Sequence, residues 1–223
     1  MQNPAKVRGI FGAIAARYDL ANHLLSGGLD FHWRARAVRM VKAWQPKSVL
    51  DLATGSGDLA LAMQKSMPDA RITGADFCLP MLQVAARKGL RPLVVADGTR
   101  LPFADASFDV VTVAFGLRNM ESWPGALREM ARVLRTGGHL LVLDFSMPRP
   151  PISAIYRFYL HRVLPLVAGL ITGNRAGYEY LGESIEAFPS GPAMCELIQQ
   201  NNLRDARARP LAAGIVSIYT AQR

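Results

Sequence analysis

Apolar and polar positions switch repeatedly between two periods along the 223-residue chain. Val7, Ile10, Phe11 and Ile14 recur at helical spacing. The stretch from Asn22 to Gly28 breaks that pattern, and Phe31 to Trp44 resumes it. From there the spacing predicts alternation. Ser48–Leu52 reads as a buried strand and Leu59–Met67 as a helix; Arg71–Asp76 reads as a strand and Met81–Lys88 as a helix. Leu93–Ala96 and the β-branched run Phe108–Phe115 read as strands, and Pro124–Leu134 as a helix with proline in its first turn. Arg135–Gly138 reads as a turn before a strand at His139–Phe145. Short strands alternating with helices of this length predict an α/β fold built on a largely parallel sheet.

The proline run at Pro148–Pro151 punctuates the chain. An apolar helix is expected at Ile152–Leu170, then a polar loop (GNRAGYEYLGES) and a helix from Pro192 to Asn201. Strands near Ala206–Arg209 and Ile215–Thr220 could pair as a hairpin. The expected organisation is one domain over 1–223, with a helical N-terminal cap (1–46) and an insertion (148–190) after the fifth strand, over the substrate site.

Composition narrows the classes. Hydrophobic residues make up 50% and charged residues 19%, which excludes a disordered chain. Cys78 and Cys195 form no CxxC pair, and four histidines show no HExxH spacing, so neither a disulfide framework nor a metal site is expected. The net charge of +9 is carried mainly by scattered arginines. Charge alone would allow nucleic acid, an anionic membrane surface or no partner. The chain offers no aromatic–basic platform for RNA, so nucleic acid is set aside. Ile152–Gly173 is interrupted by Arg157, His161, Arg162 and Pro165 and is rejected as a membrane span. A cytoplasmic protein is expected. A peripheral contact at the inner face of the membrane and a homodimer stay open, because Ile155, Tyr159, Val163, Leu166 and Leu170 could face lipid, a substrate tail or a second subunit.

The segment VLDLATGSGDLA, Val49–Ala60, ends a strand, turns on glycine and opens a helix. Gly55 and Gly57 let the backbone approach a ligand, and Ser56 between them adds a hydroxyl. The glycine pattern is shared with dinucleotide sites. Asp51 immediately before it disfavours a pyrophosphate and favours a ligand bearing a cationic amine or sulfonium, such as S-adenosylmethionine. Asp76, followed by Phe77, closes the second strand where a carboxylate would accept from ribose hydroxyls. Asp97 and Gly98 close the third, where an acid and the next N–H would meet an adenine.

Taken together, these residues resemble the class I S-adenosylmethionine-dependent methyltransferases. More narrowly, the chain is similar to the ubiquinone/menaquinone biosynthesis C-methyltransferase family (UbiE/MenG type). The likeness is carried by residues 10–28 (IFGAIAARYDLANHLLSGG), Trp33-Arg34, DLATGSGD, DGTRLPF, FGLRNM, LDFSMP and YEYLGESIEAFP. It implies a seven-stranded, Rossmann-like sheet with a terminal antiparallel hairpin and S-adenosyl-L-methionine as cofactor. It also implies polyprenylated quinol acceptors methylated on ring carbon. Ser56, Asp76, Asp97 and Gly98 would contact the cofactor, and Tyr18 with Asp19 would close its site. Arg118 would stabilise a phenolate, directly or through a water, while Asn119 orients the hydroxyl; Tyr178, Tyr180 and Glu183 would serve the substrate pocket. The chain departs from the family's usual threonine at Ser56, methionine at Ala21, histidine near Asp30, glutamate at Asp144 and histidine at Tyr219. A methyltransferase for another phenolic or polyketide-like substrate is the alternative.

Overall fold

A computed structural model describes residues 26–166, 169 and 175–223. The first expected helix, Tyr18, Asp19 and Ala21 lie outside these residues. Helix α1 (Leu29–Ala43) leaves a left-handed glycine cap at Gly28 and buries Trp33, Ala37, Val38 and Val41, an i, i+4, i+5, i+8 stripe. Then β1 (Ser48–Leu52), α2 (Asp58–Ser66), β2 (Arg71–Asp76), α3 (Leu79–Arg87), β3 (Leu93–Val95), β4 (Phe108–Ala114), α4 (Trp123–Val133) and β5 (Leu134–Phe145) follow in turn. A 3-10 turn, Leu117–Asn119, stands between β4 and α4. The last part holds α5 (Ile152–Phe158), α6 (Arg175–Ala187), α7 (Pro192–Gln199), β6 (Arg204–Leu211) and β7 (Val216–Gln222).

The strands form one seven-stranded sheet in the order β3-β2-β1-β4-β5-β7-β6. The first five run parallel, β7 pairs antiparallel with β5, and β6 pairs antiparallel with β7, so the expected fold class and terminal hairpin are found. The order reverses between β1 and β4. At such a switch point the loops leaving the two C-terminal strand ends diverge and open a crevice. The parallel strands are covered on both faces, which is why Val49, Leu50, Leu52, Val110, Val111 and Val113 are all buried rather than alternating.

Two stretches differ from the sequence expectation. Arg135–Gly138 is not a free turn; it belongs to a long β5 whose pairing with β4 shifts register between Phe108 and Val110, so turn-like residues sit in an irregular strand start. The polar loop from Gly173 to Ser184 is largely helix α6. Tyr178, Leu181 and Ile185 recur at i, i+3 and i+7 and pack with Tyr156, Leu160 and Leu164. That stripe, dispersed among charged and small residues, wins over the loop-like composition. The apolar helix after Pro151 exists as α5, continuing as a π-helical turn at Tyr159–Val163. Among the described residues no helix is long and apolar enough to cross a membrane.

Candidate active site

The crevice at the switch point is built from consecutive strand ends. Leu52 ends β1 and Ala53 follows it, Asp76 ends β2 and Phe77 follows it, Ala96, Asp97 and Gly98 follow β3, and Gly116, Asn119 and Met120 follow β4. The two central turns touch. A Cβ on Gly116 would stand 2.4 Å from the Cβ of Ala53, so only glycine fits there. Ala53 and Phe115 both hold positive φ, at 52° and 57°. Left-handed backbone at these two non-glycine residues is strain that the surrounding sheet over-determines.

The carboxylates at these strand ends are held differently. Asp76 accepts backbone N–H groups of Gly55 at 2.9 Å and Cys78 at 2.8 Å. Burial pushes its carboxyl above the usual range, against those hydrogen bonds. Asp97 accepts the Thr99 N–H and hydroxyl, both at 2.8 Å. Both acids line the crevice with Phe77 and Gly98, and a side chain on Gly98 would meet the Met120 sulfur at 2.8 Å. An acceptor pair, an aromatic ring and a close backbone approach suit a nucleoside. Asp51 is placed apart from them and lines neither described cavity. Its oxygens accept the hydroxyls of Thr54 and Thr112, each at 2.7 Å. Burial raises it to about 6, with the threonine bonds and the Arg34 charge opposing. Gly55, Ser56 and Gly57 also line neither cavity. Gly57 has φ of +89° and lets the loop close on Ala85 and Leu90, so its visible task is packing.

Beyond Asn119 lies a second cavity of about 520 Å³, within the range of small-molecule sites. Its walls come from α1, the end of β4, β5, α5 with its π-helical extension, α6 and the turn before β7. Trp33, Phe115 and Phe145 form an aromatic wall, with Phe115 and Phe145 at 4.9 Å between centroids and Trp33 at 6.2 and 6.4 Å from them. Tyr156, Tyr159, Tyr178 and Tyr180 add four phenols. Burial raises Tyr156, Tyr159 and Tyr180 above the usual tyrosine range, so they stay protonated. Of these residues only Tyr178 and Tyr180 were singled out as substrate contacts. Trp33, Phe115 and Phe145 fall in three separate family motifs, and nothing in the sequence shows that the three rings meet.

Arg118 is buried in this cavity's wall. Its Nη1 donates to Asp144 Oδ1 at 2.7 Å and to the Phe115 carbonyl at 2.6 Å, and its guanidinium lies 5.1 Å from the Phe145 ring centroid. Its buried Nε has no partner among the described residues. Asp144 is fully buried behind Arg118, and burial raises it more than the guanidinium lowers it. Arg118, expected to stabilise a phenolate, is thus held in a buried guanidinium–carboxylate pair. Asn119 lines both cavities; its Oδ1 accepts the Tyr180 hydroxyl at 3.1 Å. Glu183 is corrected: it sits on the exposed face of α6 and lines neither cavity, because the helix turns its Tyr178–Leu181–Ile185 stripe inward. Tyr219 is buried with its hydroxyl accepting the Gly191 N–H at 3.0 Å, away from both cavities, so that departure does not touch the site.

Solved structures that share this fold include S-adenosylmethionine-dependent methyltransferases. One from Thermotoga maritima aligns over 97% of this chain and 99% of its own, with a TM-score of 0.70 at 15% identity. Human N-acetylserotonin methyltransferase, solved with its cofactor, aligns over 96% of this chain and 59% of its own, with a TM-score of 0.64 at 15% identity. A seven-stranded sheet with a reversed final strand and a crevice at the β1/β4 switch point is therefore the fold of class I methyltransferases.

Within that class the chain belongs to the ubiE/COQ5 methyltransferase family, matched over residues 1–223. It is 47% identical to the demethylmenaquinone methyltransferase of Thermus thermophilus over 96% of this chain and all of that one. It is 42% identical to the ubiquinone/menaquinone biosynthesis C-methyltransferase UbiE of Syntrophotalea carbinolica, over 97% and 93%. The protein is an S-adenosylmethionine-dependent methyltransferase.

Proposed function

We propose that the protein methylates a ring carbon of a polyprenylated quinol, demethylmenaquinol being the first candidate, as a step of respiratory quinone biosynthesis. One observation carries the reading: a large aromatic cavity meets the strand-end crevice of Asp76 and Asp97 at a single residue, Asn119. The names of the Thermus and Syntrophotalea relatives support a quinone precursor as the acceptor.

The crevice residues Asp76, Phe77, Asp97 and Gly98 would hold the cofactor's nucleoside, and Asp51 would face its cationic end through Thr54 and the glycine turn. Tyr18, outside the described residues, would complete that site. S-adenosylmethionine, when bound, supplies a methyl group activated by positive sulfur. The protein's part is to align the acceptor and make its ring carbon nucleophilic. Alignment alone can supply ~7–11 kcal/mol of a barrier. Ionising a phenol of pKa ~10 at pH 7 costs roughly 4 kcal/mol. Arg118 lowers that cost with directed donors more than with net charge, since Asp144 neutralises it. Phe115 O and Asp144 fix Nη1 and Nε is closed off from the cavity, so Nη2 would be the donor toward the acceptor's oxygen or a water beside it. Asn119, steadied by Tyr180, orients the same hydroxyl.

The long tail follows the apolar wall outward. Ile152 and Ile155 line the cavity and are also exposed, in line with exposed Phe158 and Leu166. Arg149, Arg157 and Arg162 flank them, a composition suited to peripheral contact with the anionic inner face of a bilayer. Sedimentation with anionic liposomes at low and high salt checks this contact; protein left in the supernatant at both removes it. The function itself is tested by offering the purified enzyme short-tailed demethylmenaquinol, a ubiquinol precursor and unrelated phenols. Mass spectrometry should find the methyl group on the ring carbon of a quinol. Transfer to the unrelated phenols alone would refute the reading.

A further inference from the structure

We infer that Tyr156 is a second catalytic residue: its hydroxyl donates a hydrogen bond to the acceptor's ring oxygen that Arg118 faces, so that the charge left there is held by two donors. The inference rests on the quinol reading above. Several polar groups of the cavity are committed to bonds within the protein. Arg118 is tied to Asp144, Asp30 accepts the Ser26 hydroxyl at 2.7 Å and the Arg34 guanidinium, and Asn119 accepts the Tyr180 hydroxyl. Tyr156 differs. It is only 7% exposed and lines the same cavity, yet its hydroxyl has no hydrogen-bond partner among the described residues. A buried hydroxyl left in that state is costly unless water or a ligand takes its proton. Among the described residues the sealed, unpartnered side-chain atom is Arg118 Nε. The Tyr156 hydroxyl is therefore not sealed in packing; it opens into the cavity.

The local sequence sets this direction. Tyr156, Leu160 and Leu164 recur at i, i+4 and i+8 and pack as one buried stripe with Tyr178 and Ile185, while Ile155 and Phe158 stay outside. Phe145 packs on that stripe, and the Arg118 guanidinium carbon lies 5.1 Å from the Phe145 ring centroid. One ring thus joins the guanidinium to the segment that carries Tyr156. The phenol also stands within the field of Arg118. Burial raises Tyr156 above the usual tyrosine range, Tyr159 adds to the rise, and the Arg118 charge opposes it. Tyr159, stacked on Tyr156 at 6.3 Å between centroids, is raised by burial alone. Tyr180 feels the same charge but is committed to Asn119. Tyr156 is thus the phenol that is both open and close to the guanidinium, and it keeps its proton, which makes it a donor and not a base.

An oxygen placed between two such donors is drawn to both. When the acceptor's hydroxyl gives up its proton to water, the oxygen left behind gathers negative charge, part of which moves onto the ring carbon that takes the methyl group. Hydrogen bonds to an ionised oxygen are stronger than those to a neutral one, so fixed donors favour the reactive form over the resting form. Tyr156 transfers no proton in this role.

The test is Tyr156→Phe, which removes the hydroxyl and keeps the ring. With short-tailed demethylmenaquinol under anaerobic conditions, the single-turnover rate at saturating acceptor should fall about 10–100-fold, the share of one hydrogen bond to a charged oxygen. Half-saturation should stay within about threefold of wild type. Cofactor affinity by calorimetry should be unchanged, because Tyr156 does not line the strand-end crevice. The ligand-free variant should unfold at or above the wild-type urea midpoint, since no protein group loses a bond. A lower midpoint would show the hydroxyl bonded inside the protein and overturn the inference. So would a rate within about twofold of wild type, or weaker half-saturation at an unchanged rate, which would make the hydroxyl a binding group only. Each of these outcomes leaves the quinol reading standing. A wild type that transfers methyl to no quinol overturns that reading, and the inference with it.

Discussion

The crevice at the strand ends and the aromatic cavity beside it meet at Asn119 but are made by different physics. The crevice is backbone work. Its acids sit at the ends of neighbouring parallel strands, Asp76 is fixed by N–H groups, and Gly116 is dictated by a 2.4 Å approach to Ala53. The cavity is side-chain work. It gathers residues from Ser26 to Ile215 whose positions depend on helices packing over the sheet. Its polar groups are held by guanidinium–carboxylate pairs instead of backbone amides. A site of the first kind tolerates loss of one side chain, because the turns persist. In the second kind, each charged partner holds the other in place.

The largest expected effect breaks the comparison at the Arg118–Asp144 pair, and it should be asymmetric. Asp144→Ala leaves a buried guanidinium that cannot shed its proton, which costs about 3–5 kcal/mol and removes turnover. Arg118→Met leaves a buried carboxylate whose folded form already favours protonation, so it can neutralise itself. That variant should approach the wild-type denaturant midpoint below pH about 4 and fall behind it as pH rises, because folding must then protonate the carboxyl; it should bind cofactor normally and lose about 10²–10³ in turnover. A destabilisation of Arg118→Met that does not ease at low pH would contradict the account, as would full turnover in that variant. Asp144→Glu should keep most of the activity.

A smaller effect sharpens the crevice side. Asp51 is held at about 6 in the folded protein against an ordinary value of 3.8. The folded state therefore keeps the proton more tightly. That contribution to stability is present below pH about 4 and is lost as pH rises to about 6. By linkage this amounts to roughly 3 kcal/mol as an upper figure. Asp51→Asn should abolish this slope and stabilise the ligand-free enzyme at pH 7.5 by about 1–3 kcal/mol, read from urea melts at pH 5 and pH 7.5. If the carboxylate serves the cofactor's cationic end, the same variant should bind cofactor about tenfold more weakly by calorimetry. Unchanged affinity would leave Asp51 with only its two threonines.

The same contrast explains what the sequence could reveal. Asp76, Asp97 and the glycine turn follow one another at the ends of predicted strands, so local pattern plus parallel topology brings Asp76 and Asp97 together. Arg118 and Asn119 were found through their family motif, and Tyr180 likewise. The partners of those residues were not legible. Asp144 reads as the polar end of a buried strand, and Asp30 as a first-turn acid suited to the helix dipole. Asp30 and Arg34 stand four apart on α1, a pair that helical spacing allows, whereas only packing shows that Asp144 faces Arg118. Helix α6 was hidden for a related reason: its glycines and charges mimic a loop, and the stripe that makes it helical gains its energy from Leu160 and Leu164 on another segment.

Tyr180 offers the smallest and most selective test, because its one named bond ties the two regions together. Its hydroxyl donates to Asn119 Oδ1 at 3.1 Å from α6, the element whose apolar stripe closes the cavity. Tyr180→Phe removes only that hydroxyl and keeps the ring, so the loss should be that of one neutral hydrogen bond, about 0.5–1.5 kcal/mol. Because Asn119 lines both cavities, the loss should fall on alignment rather than on either ligand alone. Turnover should drop about 3–10-fold, with cofactor affinity and the quinol KM each within about twofold of wild type. Tyr178→Phe, on the same helix and buried in the same cavity, serves as the comparison and should leave turnover closer to wild type. A rise in KM without a fall in kcat for Tyr180→Phe would assign its hydroxyl to substrate binding and dissolve the link between the two sites.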